Sequence, residues 1–198
     1  MRMVLAVVLT LLSSSCLAEA YRLKYTRLDE KEGVVVTGHG TAFCYEKGRL
    51  LTAAHNVSTG EPLIEVNGDW VKAKVVRKNE DSDIALLECK EAEKWSPLAL
   101  ETPSPGKDIV LRGSKRGEKV SDRKGRISTA WYKGRAQWLA DIGGEGFDHG
   151  DSGAPLMFAS NVVVGMVVAG IPKDGDMDKG KALFLPAMVL WSFLLERP

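Results

Sequence analysis

Cysteine and histidine are scarce in this chain of 198 residues, three of each, and neither sign of charge prevails, the formal net charge being +1. Cys16 falls inside the N-terminal leader described below, which leaves Cys44 and Cys89. Two thiols are too few for the multiple disulfides that staple small exported domains. With His39, His55 and His149 as the whole histidine complement, a metal cluster has little to be built from, and no metal or other cofactor is expected. The near-neutral charge argues against nucleic acid or an anionic membrane as the dominant partner. A basic stretch over residues 112–126 carries Lys115, Arg116, Lys119, Arg123 and Lys124. Glu118 and Asp122 interrupt it, and it reads as a solvated, lysine-rich loop or edge hairpin. Also missing is any apolar run near the roughly 20 residues that a bilayer-spanning helix needs. Neither an internal repeat nor a low-complexity tract is present.

What stands at the N-terminus is a shorter apolar run. Arg2 precedes residues 4–12, which are broken only by Thr10; three serines and then Ala18-Glu19-Ala20 follow. A basic start, an apolar middle and small residues at a cleavage site make a secretory signal peptide, with cleavage expected after Ala20. The product is then an exported protein, periplasmic or secreted, beginning at Tyr21 and without stable membrane insertion. A retained anchor is the alternative, and the run is short for one. Lipid attachment at Cys16 fits less well, because the leucine that should lie three residues before it is Leu12, one place too far.

Residues 21–198 suit one domain with an ample core. They read as short strands punctuated by turns: residues 33–37, 41–45 and 50–53, with Glu46-Lys47-Gly48 as a hairpin turn, then 63–66 and 70–76 around Asn67-Gly68, then 84–89. Cys44 and Cys89 both sit in apolar strand-like runs, and one bridge or two buried thiols fit equally. Residues 90–107 change texture, with Pro97, Pro103 and Pro105, and read as a linker. Further strands are expected at 108–112, 126–132, 137–140, 154–158, 162–168 and 182–185, and one helix at 187–196. Many short strands around a midpoint linker imply an all-β protein of two similar barrels, about 21–100 and 106–198.

Three segments carry chemistry. In Leu51-Thr52-Ala53-Ala54-His55, an apolar strand ends at a histidine, a group able to act as a general base near neutral pH. In Asp83-Ile84-Ala85-Leu86-Leu87, an acid opens an apolar strand, where a partly buried carboxylate needs a donor such as an imidazole N–H. In Gly150-Asp151-Ser152-Gly153-Ala154-Pro155, two glycines permit a tight bend that presents the Ser152 hydroxyl and the amides of Gly150 and Ser152. Each segment alone also fits an ordinary surface or turn residue.

Taken together and in this order, Thr52-Ala53-Ala54-His55, Asp83-Ile84-Ala85-Leu86-Leu87 and Gly150-Asp151-Ser152-Gly153-Ala154-Pro155 resemble the chymotrypsin-fold serine peptidases, nearest to their bacterial, HtrA-like branch. The resemblance spans roughly residues 34–194 and implies two six-stranded antiparallel barrels with a short C-terminal helix. It implies a polypeptide substrate, Ser152 as nucleophile, His55 as general base and Asp83 as its orienting acid. It makes Gly150 and Ser152 the oxyanion-hole donors. Gly146 falls where trypsin-like members keep the acid that selects Lys or Arg, so a pocket of Gly146, Val168, Ala169 and Gly170 implies small to medium apolar specificity. The alternative source of such an acid is Asp148, two positions on. No Arg or Lys followed by Ile-Val-Gly-Gly occurs near the N-terminus, so activation by a freed chain end is not expected. Asn56-Val57-Ser58 matches a glycosylation sequon, but beside His55 it is read as coincidental. A competing implication is a secreted binding protein that keeps the fold and has lost catalysis.

Overall fold

The structure, a computed structural model, describes residues 20–29, 32–58, 60–94, 99–132, 136–143, 146–159 and 162–196. The expected leader lies outside them, apart from Ala20, as does Cys16.

Seven strands form the front sheet: β1 (Ala20–Asp29), β2 (Val34–Glu46), β3 (Arg49–Thr52), β4 (Leu63–Val66), β5 (Asp69–Lys72), β6 (Lys74–Asn79) and β7 (Ile84–Glu88). Their order is β5-β4-β1-β2-β3-β7-β6. Turn chemistry sets the hairpins. Asn67 and Gly68 both have positive φ, 54° and 94°, the two left-handed positions that a tight hairpin turn requires, and Val66 faces Asp69 across it. The expected strand over residues 70–76 is split at Ala73, which turns inward and donates its N–H to Pro62 O.

The back sheet holds β8 (Ala99–Leu100), β9 (Asp108–Gly113), β10 (Ser121–Thr129), β11 (Trp138–Ile142), β12 (Pro155–Ala159), β13 (Val162–Lys173) and β14 (Asp176–Pro186). β9 to β14 close into a six-stranded antiparallel barrel, because β12 pairs with both β9 and β13. β8, drawn from the stretch read as a linker, adds to β13 in parallel. α1 (Ala187–Leu195) follows β14 directly. The fold is thus mostly β, with a half-barrel in front, a closed barrel behind and one C-terminal helix.

Each unit buries its own apolar set. Leu23, Leu50, Ile64 and Leu87 fill the front, and Ile109, Leu111, Ile127, Leu156 and Phe184 fill the back. A third cluster joins the two, with Phe43, Leu51, Ile84 and Leu86 packed against Met157, Met166, Val168 and Phe193. Cys44 and Cys89 are buried thiols of the front core and are not bridged to each other. Burial and the neighbouring Glu91 carboxylate push the Cys89 thiol up to about 11.

Candidate active site

The antiparallel pairing of β3 with β7 sets Thr52 opposite Ala85, so whatever follows β3 meets whatever precedes β7. After β3 the chain enters a short 3-10 helix, Ala54–Val57, which carries His55. Before β7 stands Asp83, whose φ of 55° is a left-handed conformation that aspartate tolerates better than most residues. Asp83 binds His55 twice: Oδ1 accepts the His55 backbone N–H at 2.9 Å, and Oδ2 lies 2.8 Å from Nδ1. A carboxylate only accepts, so Nδ1 carries a proton toward Asp83, and in the neutral ring Nε2 then bears the lone pair. The Asp83 side chain keeps a quarter of its surface, and that of His55 is 43% exposed. A cavity of about 260 Å³ lined by Ala54, His55, Ser58, Glu80 and Asp83 opens beside the pair.

Ser152 belongs to the back barrel, yet its main chain is tied to the front. Its carbonyl accepts from the Thr41 N–H and from Asn56 Nδ2, each at 2.9 Å. Asn56 is the residue after His55 and is fully buried, with Nδ2 also on Thr52 Oγ1 at 3.1 Å. The sequon asparagine therefore serves as a cross-strut between the two halves, out of reach of any glycan. On the other side of the turn, the Gly153 N–H donates to Val167 O, and Val167 N–H to Ala154 O. Ser152 is held between β2 and β13.

Gly150 and Gly153 have no room for a side chain. A Cβ on Gly150, at φ 95°, would stand 2.1 Å from Ser114 O, and one on Gly153, at φ 86°, would stand 2.1 Å from Thr41 O. The Arg116 N–H donates to His149 O at 2.5 Å. Because the peptide is planar and trans, that contact turns the Gly150 N–H to the opposite side, away from the residue 114–117 loop.

Below the turn lies a residue that the sequence reading misplaced. Arg123, expected in a solvated basic loop, is 6% exposed. It projects inward from β10 and grips Asp151 with both Nη atoms, Nη1 lying 2.7 Å from Oδ2 and also reaching Gly146 O at 3.1 Å. Asp151 is fully buried, and its carboxylate also receives the Asp148 N–H. A carboxylate with no exposure needs a charged partner, and β10 supplies it. Arg116, Lys119, Lys124 and Arg126 are exposed as expected, whereas Arg112 and Lys115 are partly buried.

Gly146 is buried, Val168 is 5% exposed, and Ala169 and Gly170 continue along β13 half-buried. Asp148 is committed elsewhere: Oδ1 accepts the His149 N–H at 2.7 Å and Oδ2 the Arg116 guanidinium. Burial raises its pKa, but the His149 amide and Arg116 outweigh that, and Asp148 titrates below the ordinary carboxylate range.

Comparison with known proteins follows the same line. A family profile described as a trypsin-like peptidase domain matches residues 40–166, more than half of the chain. Among solved structures, the active form of the Rv3671c protease from M. tuberculosis superposes with a TM-score of 0.70 at 21% identity, over 88% of this chain and 79% of that one. The HtrA-type protease AlgW, solved as a variant with a tripeptide, gives 0.75 at 17% identity over 88% of this chain and 58% of its own. A serine endoprotease from Yersinia pestis gives 0.73 at 18% identity over 90% and 62%. No curated protein matches the sequence. On the family match, the chain belongs to the trypsin-like peptidases and is a serine peptidase of chymotrypsin fold.

Proposed function

We propose that the protein is an exported serine endopeptidase in which His55, Asp83 and Ser152 are the catalytic triad. The observation that carries this reading is the doubly bonded His55–Asp83 pair, joined through Asn56 to the carbonyl of Ser152. With Nδ1 protonated against Asp83, Nε2 can take the Ser152 hydroxyl proton as the oxygen attacks the scissile carbonyl. The Gly150 and Ser152 amides would receive the oxyanion, and the anchoring of His149 O on Arg116 supports that orientation for Gly150. The imidazolium then gives its proton to the leaving amine, and water releases the acyl group from Ser152 by the same route.

Gly146, Val168, Ala169 and Gly170 would line the pocket for the residue before the cleaved bond. No free acid is contributed by Asp148, whose oxygens are engaged by Arg116 and the His149 amide. A buried Lys or Arg would therefore lack a partner, which supports small to medium apolar residues there. In the described residues no helix is long and apolar enough to cross a membrane. Export rests on the N-terminal pattern and is tested by sequencing the N-terminus of the protein recovered outside the cytoplasm, with Tyr21 expected first. A fluorophosphonate probe should label the protein, and Ser152→Ala should abolish labelling. Labelling that persists in Ser152→Ala would remove Ser152 from the role of nucleophile.

A further inference from the structure

A row of side chains leads away from the Ser152 turn across the outer face of the front sheet. Lys24 of β1 stands directly opposite His39 of β2, so their Cβ atoms are close neighbours on one face. Leu23 and Tyr25 point the other way, into the core. The His39 ring rests on Gly117, where a Cβ would lie 2.7 Å from Cγ, and Arg22 Nη1 donates to Gly117 O at 3.0 Å. Gly117 in turn abuts the oxyanion turn, its nitrogen lying 2.9 Å from where a Gly150 Cβ would be. Further out, Arg22 and Lys24 both approach the Trp70 ring, at 5.2 and 5.7 Å from its centroid.

The charges along this row are unevenly answered. Arg22 is met by Glu65, with Nη2 to Oε1 at 2.8 Å, and Arg116 by Asp148. Lys24 has the face of Trp70 and no carboxylate partner among the described residues. A half-buried lysine whose ammonium approaches an aromatic face, with an exposed histidine opposite, suits an incoming carboxylate. Position gives that carboxylate a source. Ser152 lies between β13, which would take the acyl side of a substrate, and β2, on the side of the His55 that would protonate the leaving amine. From Thr41 to His39 is two residues along β2, and Lys24 is one strand further, which an extended chain covers in about two or three residues.

We propose that the outer face of β1 and β2 is the track for the leaving-group side of the substrate, and that Lys24, flanked by Arg22 and His39, selects an acidic residue two or three positions beyond the cleaved bond. This rests on the peptidase reading above. The test uses the full processed protein and a library of internally quenched peptides. These share an apolar residue before the cleaved bond and carry Glu, Gln or Lys at the second and third positions after it.

At low salt, kcat/KM for Glu should exceed that for Lys by about three- to tenfold, as for one or two partly exposed ion pairs. The ratio should fall toward unity near 0.5 M salt, roughly, where screening is short-ranged. Lys24→Glu should erase or invert it. The ratio is read within each enzyme preparation, so partial unfolding of the variant cancels. If Lys24→Glu does not fold, Lys24→Gln should reduce the ratio, and the salt series on the wild type stands without any variant. Cleavage with no charge preference at those positions, or a preference unchanged in both Lys24 variants, overturns the proposal while fluorophosphonate labelling of Ser152 keeps the peptidase reading. Absence of both labelling and cleavage overturns that reading and this one together.

Discussion

Arg123 and Asp151 are two charges taken almost wholly out of water, and each is tolerable only because of the other. Breaking such a pair from one side leaves a buried carboxylate unanswered, at a typical cost of about 3–5 kcal/mol. Arg123→Met is therefore expected to lower the melting temperature sharply. In molecules that remain folded it should also slow fluorophosphonate labelling, because Asp151 is adjacent to Ser152. Arg123→Lys should recover little of either, since an ammonium cannot bind both carboxylate oxygens and Gly146 O in the same geometry. His39 gives a pH-dependent counterpart. Burial, then Lys24 and Arg22, hold its pKa below the ordinary 6.5. Below that value the unfolded chain binds the proton more readily than the folded one, so His39 removes stability as pH falls through 6.5 toward its depressed pKa. Urea midpoints should fall more for the wild type than for His39→Gln between about pH 7.5 and about pH 5. Equal falls would show that His39 titrates normally.

Among the elements, α1 depends on a residue far from it in sequence. Arg77 of β6 donates to the carbonyls of Phe193 and Glu196 at the helix end, with its guanidinium 4.2 Å from the Phe193 ring centroid. A cation on those C-terminal carbonyls satisfies them and meets the negative end of the helix. Arg77→Met keeps an apolar stem but loses the donors, and should cost about 1–2 kcal/mol in a urea titration. Sequence foresaw α1 as a helix over 187–196, and the β4–β5 hairpin from Asn67-Gly68. It did not foresee β1, although Tyr21, Leu23 and Tyr25 alternate with Arg22 and Lys24. Nor did it extend β13 and β14 to their tight turn at Asp174-Gly175, both of positive φ. Of the site, the three segments could be read because each chemical group sits in a distinctive local string. Asn56 and Arg123 could not, since what they do depends on partners 96 and 28 residues away. Nothing local separates a buried arginine on an otherwise basic strand from its solvated neighbours.

For the molecule as a whole, the decisive packing is between the halves. Phe43 and Leu51 from the front share one cluster with Met157 and Met166 from the back. Neither half can bury those surfaces alone, so the chain should unfold in one cooperative step. Phe43→Ala, which empties part of the shared cluster, should cost about 3–5 kcal/mol and shift the single transition without splitting it. Far-ultraviolet ellipticity and tryptophan emission should coincide along a urea titration. Separated curves would mean that each barrel stands by itself.

The arginine beneath the turn has a consequence for how such a molecule is governed. Its counter-ion for Asp151 is built in at residue 123, so the acid is answered as soon as β10 settles into the barrel, and no chain end has to be liberated to reach it. Formation of this ion pair then coincides with folding itself. On the proposed triad, restraint would fall to the place and moment of folding, or to what is offered to the cleft, because the counter-ion of the acid beside Ser152 is already part of the strand.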